Sequence, residues 1–206
     1  MPVDLQRLLD GIGLRAGPDV AGHPRLNLGS GTDSLAGFVN LDLVPVPGVD
    51  VVASLGSAPL PFPDDTFGVV LCRDVLEHVD VVAALREVHR LTVPGGLVLI
   101  STVHFTSRNL YVDPTHVRGY SVRTLDFFAG AGEERWRRPY YFDFMFGAVE
   151  YAAIQFHTTL GKGRLFVWDR LVEPCVNASR ATQDLYEMTF LSRLAPAANV
   201  VAILRK

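Results

Sequence analysis

Two short, nearly continuous apolar runs, FGVVLCR (Phe67–Arg73) and LVLISTV (Leu97–Val103), bracket an amphipathic stretch. Runs of this kind, without polar alternation, are what strands covered on both faces look like. Between them, residues 74–91 read as a helix, because Leu76, Val79, Ala83, Leu85, Val88 and Leu91 can share one apolar side. Pro94-Gly95-Gly96 stops that pattern, since proline cannot continue a helix and glycine turns the chain. Upstream, Leu26–Leu28, Phe38–Leu43 and Val49–Leu55 read as further strands. Strands alternating with helices predict a doubly wound α/β fold on a parallel, Rossmann-like sheet.

The second half is less regular. Residues 119–130 read as a short helix started by Ser121, 147–160 as a strand, 178–194 as a helix and 199–206 as a terminal strand. A late helix between two strands predicts that the last strand inserts antiparallel at one edge of the sheet. The 206 residues, 49% of them apolar, suit one domain over 1–206 with a substantial core. A net charge of −3 argues against a protein built mainly to grip nucleic acid. Two cysteines are too few for a disulfide framework and fit a reducing, cytoplasmic setting. No run reaches the ~18 apolar residues that a membrane span needs, and the amphipathic start MPVDLQRLLDGIGLR is not patterned as a signal peptide.

The stretch LNLGSGTDSLAGFVNLDL, Leu26 to Leu43, carries the first functional signal. In an open α/β sheet, ligands bind beyond the carboxyl ends of the strands. A glycine turn there lets backbone N–H groups come close to a ligand, and an acid ending the next strand can accept two bonds from a ribose diol. The third glycine of a dinucleotide fingerprint is missing, with Ser34 following Gly29 and Gly31, and there is no phosphate loop. The expected ligand is therefore a nucleoside without a pyrophosphate.

Four pieces in order, LNLGSG, NLDL, PLPFPDDTFGVVLCRDVLEHV and REVHRLTVPGGLVLI, resemble the class I S-adenosylmethionine-dependent methyltransferases, in the group with a Leu-Glu-His motif. The resemblance covers Leu26–Val103. It implies a seven-stranded sheet of order 3-2-1-4-5-7-6 with the last strand antiparallel, and S-adenosylmethionine as cofactor. Residues 1–103 would then be mainly the cofactor-binding half and 104–160 the acceptor-binding and lid segment. Carried onto this sequence, Gly29, Ser30 and Gly31 would approach the methionine part and Asp42 the ribose, with Leu43 beside the adenine. Ser54 and Leu55 would also face the adenine, a serine standing where relatives usually have an acid. Cys72 and Arg73 would pass under the cofactor near its sulfur. Only Thr32–Ala36 separate the glycine turn from the approach to the next strand, so a turn is expected in place of the first crossover helix.

After the fifth strand comes HFTSRNLYVDPTHVRGYS, which resembles a DPTHxR block of many relatives. His116 is a candidate base, and His104 a second one. Asp113 offers a carboxylate, Arg118 a cation, and Tyr111 and Tyr120 apolar walls for an acceptor. Asp113 and His116 could share a metal ion, but no carboxylate-rich cluster accompanies them, so no metal is expected. Glu77 and His78 read as structural or cofactor-shell residues. Arg86, Glu87 and Arg90 read as a solvated helix face. RWRRPYY (Arg135–Tyr141) reads as a lid over the acceptor rather than a nucleic-acid patch. The expectation is a methyltransferase acting on an oxygen or nitrogen of a small molecule, with room for a homodimer. RNA- or protein-directed transfer and a non-catalytic module are the rivals.

Overall fold

The computed structural model describes residues 20, 22–56, 59–130, 140–157, 159–160, 163–164 and 167–206. Seven strands form one sheet: β1 (Arg25–Leu28), β2 (Val39–Asp42), β3 (Val51–Val52), β4 (Phe67–Arg73), β5 (Thr92–Val103), β6 (Ala148–Phe156) and β7 (Ala197–Arg205). Their spatial order is 3-2-1-4-5-7-6. Strands β1 to β5 are parallel neighbours, and β7 runs antiparallel to both β5 and β6. The expected fold class and order are both observed. The last strand sits one place inside the edge, with β6 outermost.

Strand β4 shows why the apolar runs are continuous. Val70 and Cys72 face one core cluster, together with Leu26, Leu28, Val98 and Ile100. Val69 and Leu71 face a second cluster with Leu97, Leu99 and Ile203. Helix α1 (Val81–Leu91) covers the first side, burying Val81, Ala84, Leu85, Val88 and Leu91. Each large aliphatic side chain buried there contributes roughly 1.5–3 kcal/mol. Asp80 caps the start of α1, accepting from Ala83 N–H at 2.8 Å. The helix ends at Leu91, before Pro94, where both the N–H and the hydroxyl of Thr92 bond Val88 O. Pro94-Gly95-Gly96 thus lies inside the start of β5 rather than closing the helix.

The second helix of the late region, α2 (Arg180–Met188), begins at a Ser179 capping box and ends at Thr189, so the 178–194 pattern is broken into two helical pieces. Residues 124–128 form a 3₁₀ turn where a short helix was expected. Among the described residues, no helix is long and apolar enough to cross a membrane. The N-terminal amphipathic stretch through Asp19 and the Arg135–Arg138 cluster lie outside the described residues.

The turn expected between β1 and β2 is present, and polar side chains hold it. Asn27 and Asn40, neighbours in register on β1 and β2, are buried. Asn27 Nδ2 donates to Asn40 Oδ1 at 3.0 Å and to Asp33 O at 3.2 Å. Leu35 N–H donates to Asn40 Oδ1 at 2.8 Å, while Asn40 Nδ2 reaches Leu35 O, Phe38 O and Asp50 Oδ2. The loop's backbone groups therefore find partners without a helix. Glu87 and Arg90 correct a second expectation: they anchor a loop instead of lying in solvent. Glu87 Oε1 accepts from Leu60 N–H at 2.7 Å, and Arg90 bonds Glu87, Asp64, Phe62 O and Leu60 O.

Asn40→Ala removes partners from several buried groups at once, and chemical denaturation should show a loss of about 3 kcal/mol. Glu87 supplies a pH test. Burial pushes its carboxyl up, but hydrogen bonds from Arg90 and Leu60 N–H outweigh this and hold it below its ordinary value of 4.5. A depressed folded pKa stabilises above the ordinary value and loses that contribution as pH falls through the folded pKa. The stability gap between wild type and Glu87→Gln, read by denaturation at a series of pH values, should therefore be full near neutral pH and close in acid.

Candidate active site

Two recesses open at the carboxyl ends of the strands. The larger, about 440 Å³, is lined by Gly29, Asp42, Leu43, Ser54, Leu55 and Val79, among others. The smaller, about 320 Å³, is lined by Glu77, Val103, Asn109, Asp113, His116 and Asn199 among others. Asp74 and His78 line both, so the recesses share a wall.

The glycine turn is shaped by packing and backbone. Gly29 has φ +69°, and a Cβ there would sit 2.2 Å from Val75 Cγ2. Only glycine combines that conformation with that closeness. Gly29 and Ser30 N–H both donate to Leu41 O, at 2.8 and 3.0 Å, which ties the turn to β2. Asp42 completes the tie: Oδ2 accepts from Gly31 N–H at 2.7 Å and Oδ1 from Val44 N–H at 3.0 Å. A carboxylate has about four acceptor sites, so each oxygen keeps capacity for a ligand hydroxyl. Among the described lining residues of the larger recess, none is lysine or arginine. That donor set suits an uncharged ribose and an apolar base better than a phosphate.

Asp74, just past β4, is held in the left-handed region with φ +54°. Its N–H donates to Ser101 O, and its Oδ1 accepts from Asn199 Nδ2 at 3.0 Å. A non-glycine residue in that conformation costs of order 1–3 kcal/mol and persists where the surroundings over-determine it. Desolvation in the recess raises its carboxyl against the pull of Arg73, Asn199 and Ser101.

The Leu-Glu-His turn and the segment after β5 are one interlocked unit. Tyr120 OH donates to Leu76 O at 2.7 Å, and Val117 N–H donates to Glu77 O at 2.8 Å. Glu77 Oε2 accepts from the buried Thr102 hydroxyl at 2.8 Å, and burial raises the Glu77 carboxyl. His78 Nδ1 lies 2.8 Å from Thr115 Oγ1, whose hydroxyl donates to Asp113 Oδ1 at 2.6 Å. These hydrogen bonds hold the Asp113 carboxyl below its ordinary value.

Comparison with known proteins agrees with this arrangement. A family model described as a methyltransferase domain matches residues 26–100. An uncharacterized methyltransferase of Schizosaccharomyces pombe is 47% identical over 53 residues, 25% of this chain and 19% of that protein. An uncharacterized protein of Methanocaldococcus jannaschii is 44% identical over 45 residues, 22% of this chain and 20% of its own length. The matches thus span about a fifth of those curated relatives. Among solved structures, a methyltransferase candidate of Bacillus halodurans C-125 covers 100% of this chain and 99% of its own, with a TM-score of 0.54 at 17% identity. Haemonchus contortus phosphoethanolamine N-methyltransferase 2, solved with phosphomonomethylethanolamine and S-adenosylhomocysteine, covers 97% of this chain and 52% of its own, with a TM-score of 0.52 at 16% identity. The fold is the Rossmann-like methyltransferase fold.

Within that methyltransferase fold, several residues fall where the sequence reading put them and several do not. Gly29, Asp42, Leu43, Ser54 and Leu55 meet at the larger recess, and Asp113 and His116 at the smaller. Ser30 and Gly31 belong to the turn but are not among the lining residues. Cys72 is fully enclosed in the core, its thiol pushed up to about 12 by burial, and it does not reach the recess. Arg73 turns to Asp33, at 3.0 Å, across the glycine turn. His104 is a second correction. It is fully buried, with Nδ1 accepting from Thr106 N–H at 3.1 Å and Nε2 3.1 Å from Glu187 Oε1. Both ring nitrogens are engaged in the fold and neither recess includes it. Tyr120 is buried with its hydroxyl on Leu76 O, so it supports the wall rather than forming it. Arg118 is exposed, its guanidinium 5.1 Å from the Tyr120 ring centre, and Tyr111 is 81% exposed, outside both sets of lining residues.

Asp74 and Asn199 were missed as lining residues, whereas His78, read as a structural or cofactor-shell residue, lines both recesses. The sequence signal for Asp74 was its position one residue past a buried strand. Tyr120→Phe, which leaves a buried carbonyl without its donor, should lower stability by about 1–2 kcal/mol in chemical denaturation. Exposed Tyr111→Phe should leave it unchanged.

Proposed function

We propose that the chain is an S-adenosylmethionine-dependent methyltransferase acting on an oxygen or nitrogen of a small molecule. The observation that carries the reading is the pair of recesses sharing Asp74 and His78: one suits a nucleoside, and the other is the size of a small acceptor. Asp42 would hold the ribose hydroxyls, Leu43 and Leu55 the adenine, and Gly29 the backbone approach to the methionine end. When bound, the cofactor supplies an activated methyl group on a sulfonium, so the protein has chiefly to align the acceptor and exclude water.

The residues of the smaller recess perform the remaining work. Asp113 and Asn199 would orient polar groups of the acceptor against the apolar Val103 and Val112. His116 donates from Nδ1 to Asn109 O at 3.0 Å, leaving Nε2 with a lone pair that can take a proton from an acceptor hydroxyl. His78 stands beside it, ring centres 4.6 Å apart, as a second such nitrogen. His104 takes no part. The acceptor volume, about 320 Å³, favours a small molecule over an RNA or protein chain.

Calorimetric titration with S-adenosylhomocysteine tests the reading. Wild type should bind in the micromolar range, and Asp42→Ala should weaken binding by ~1.5 kcal/mol or more, the scale of a lost hydrogen bond to a charged group. Absence of binding by a folded wild type would refute it and leave the non-catalytic rival.

A further inference from the structure

We infer that His78, Asp113 and His116 form a binding site for one divalent transition-metal ion of the zinc type. One ligand atom from each of the three lies within 4.8 Å of the others. They come from two separate elements, the Leu-Glu-His turn and the segment after β5, so chain proximity alone does not explain the convergence.

The hydrogen-bond pattern shows which atoms are available. His116 Nδ1 must carry its proton, because it faces the carbonyl of Asn109 at 3.0 Å. Thr115 uses its own hydroxyl proton on Asp113 Oδ1, so at 2.8 Å it can only accept from His78 Nδ1. Both imidazoles therefore keep Nε2 as the lone-pair nitrogen. Asp113 Oδ1 is also occupied by Thr115 N–H at 2.8 Å, which leaves Oδ2. Histidines that ligate metals almost always donate their other ring N–H to a carbonyl, a carboxylate or a hydroxylic partner, which sets the tautomer and aims the ring. Here that outer layer is already in place for both rings.

The spacing points the same way. His116 Nε2 stands 3.9 Å from Asp113 Oδ2, too far for a hydrogen bond. Two ligand atoms bound at about 2.1 Å lie about 3.4 Å apart on a tetrahedral ion and up to about 4.2 Å apart on a more open one. One ligand atom from each residue lies within 4.8 Å of the others, so binding draws them together by roughly 1 Å. Two imidazoles with one carboxylate suit zinc and its transition-metal neighbours, whereas calcium and magnesium prefer all-oxygen sets. Three protein ligands leave a coordination position for water or an acceptor oxygen. His78 lines both recesses and the other two line the smaller, which places the ion at their shared wall. With an ion bound, the Nε2 lone pairs of His78 and His116 are taken, and the ion rather than His116 would draw the proton from an acceptor hydroxyl; that part rests on the methyltransferase reading, and the binding itself does not.

The test is calorimetric titration of zinc chloride into tag-free, chelator-treated protein near neutral pH. One ion per chain should bind, and His116→Ala, His78→Ala and Asp113→Asn should each weaken it at least ~10-fold. His89→Ala, a histidine outside the cluster, should bind as wild type does. Circular dichroism reports that each variant is folded, and His116→Gln replaces His116→Ala should the latter not fold. Failure of the wild type to bind zinc, or unchanged binding by the folded cluster variants, overturns the site. S-adenosylhomocysteine titrated into the same samples separates the two ideas: zinc binding without nucleoside binding leaves the metal site standing and removes the methyltransferase reading.

Discussion

The larger recess depends on how Asn40 replaces a helix. Parallel neighbours normally need a crossover of a dozen or more residues, usually helical. Between Leu28 and Val39 the chain has ten, and in them it must also make the glycine turn. The side chain of Asn40 answers three backbone groups of that loop, and Asn27 and Asp50 complete the set. Because these bonds are buried and mutually supporting, the loop is fixed without a hydrophobic helix face. The same loop presents Gly31 N–H to Asp42, so the polar network, the turn and the recess-lining acid are one construction.

The acceptor end is built by a different principle. The Leu76–His78 turn carries little covalent reason to stay where it is, yet its backbone carbonyls are met by Tyr120 OH and Val117 N–H, and its side chains by Thr102 and Thr115. Tertiary hydrogen bonds thus convert two separate motifs into a single wall. Burying Tyr120 and Glu77 in that contact makes them structural, and it leaves the half-exposed Asp113 and the largely buried His116 to face the recess.

Much of the nucleoside end was legible in the sequence. Gly29, Asp42 and the buried β4 and β5 runs are local patterns, and the strand order follows from their alternation and from the family resemblance. The acceptor end was legible only in part. Residue type suggested chemistry for His104 and Tyr120, but whether an imidazole or a phenol faces a cavity or a core is decided by packing from Glu187 and Leu76, far away in the chain. Cys72 failed for a related reason: on a strand covered on both faces its side chain points into the core, while Asp74, two residues on and past the strand's end, reaches the recess. Asn199 comes from the last strand and meets Asp74 only because β7 inserts beside β5. Glu87 and Arg90 looked like ordinary surface charges because the loop they hold lies outside any helical periodicity.

The wall that the two recesses share has a thermodynamic consequence. A ligand that shifts Asp74 or His78 from one side alters the shape met by a ligand on the other, and the coupling must be equal in both directions. Asp74 is poised for this, since its left-handed backbone and its bonds to Asn199 and Ser101 allow few alternative positions. Ligands of the two recesses should therefore not load independently: filling one changes the affinity of the other by the same factor in each direction.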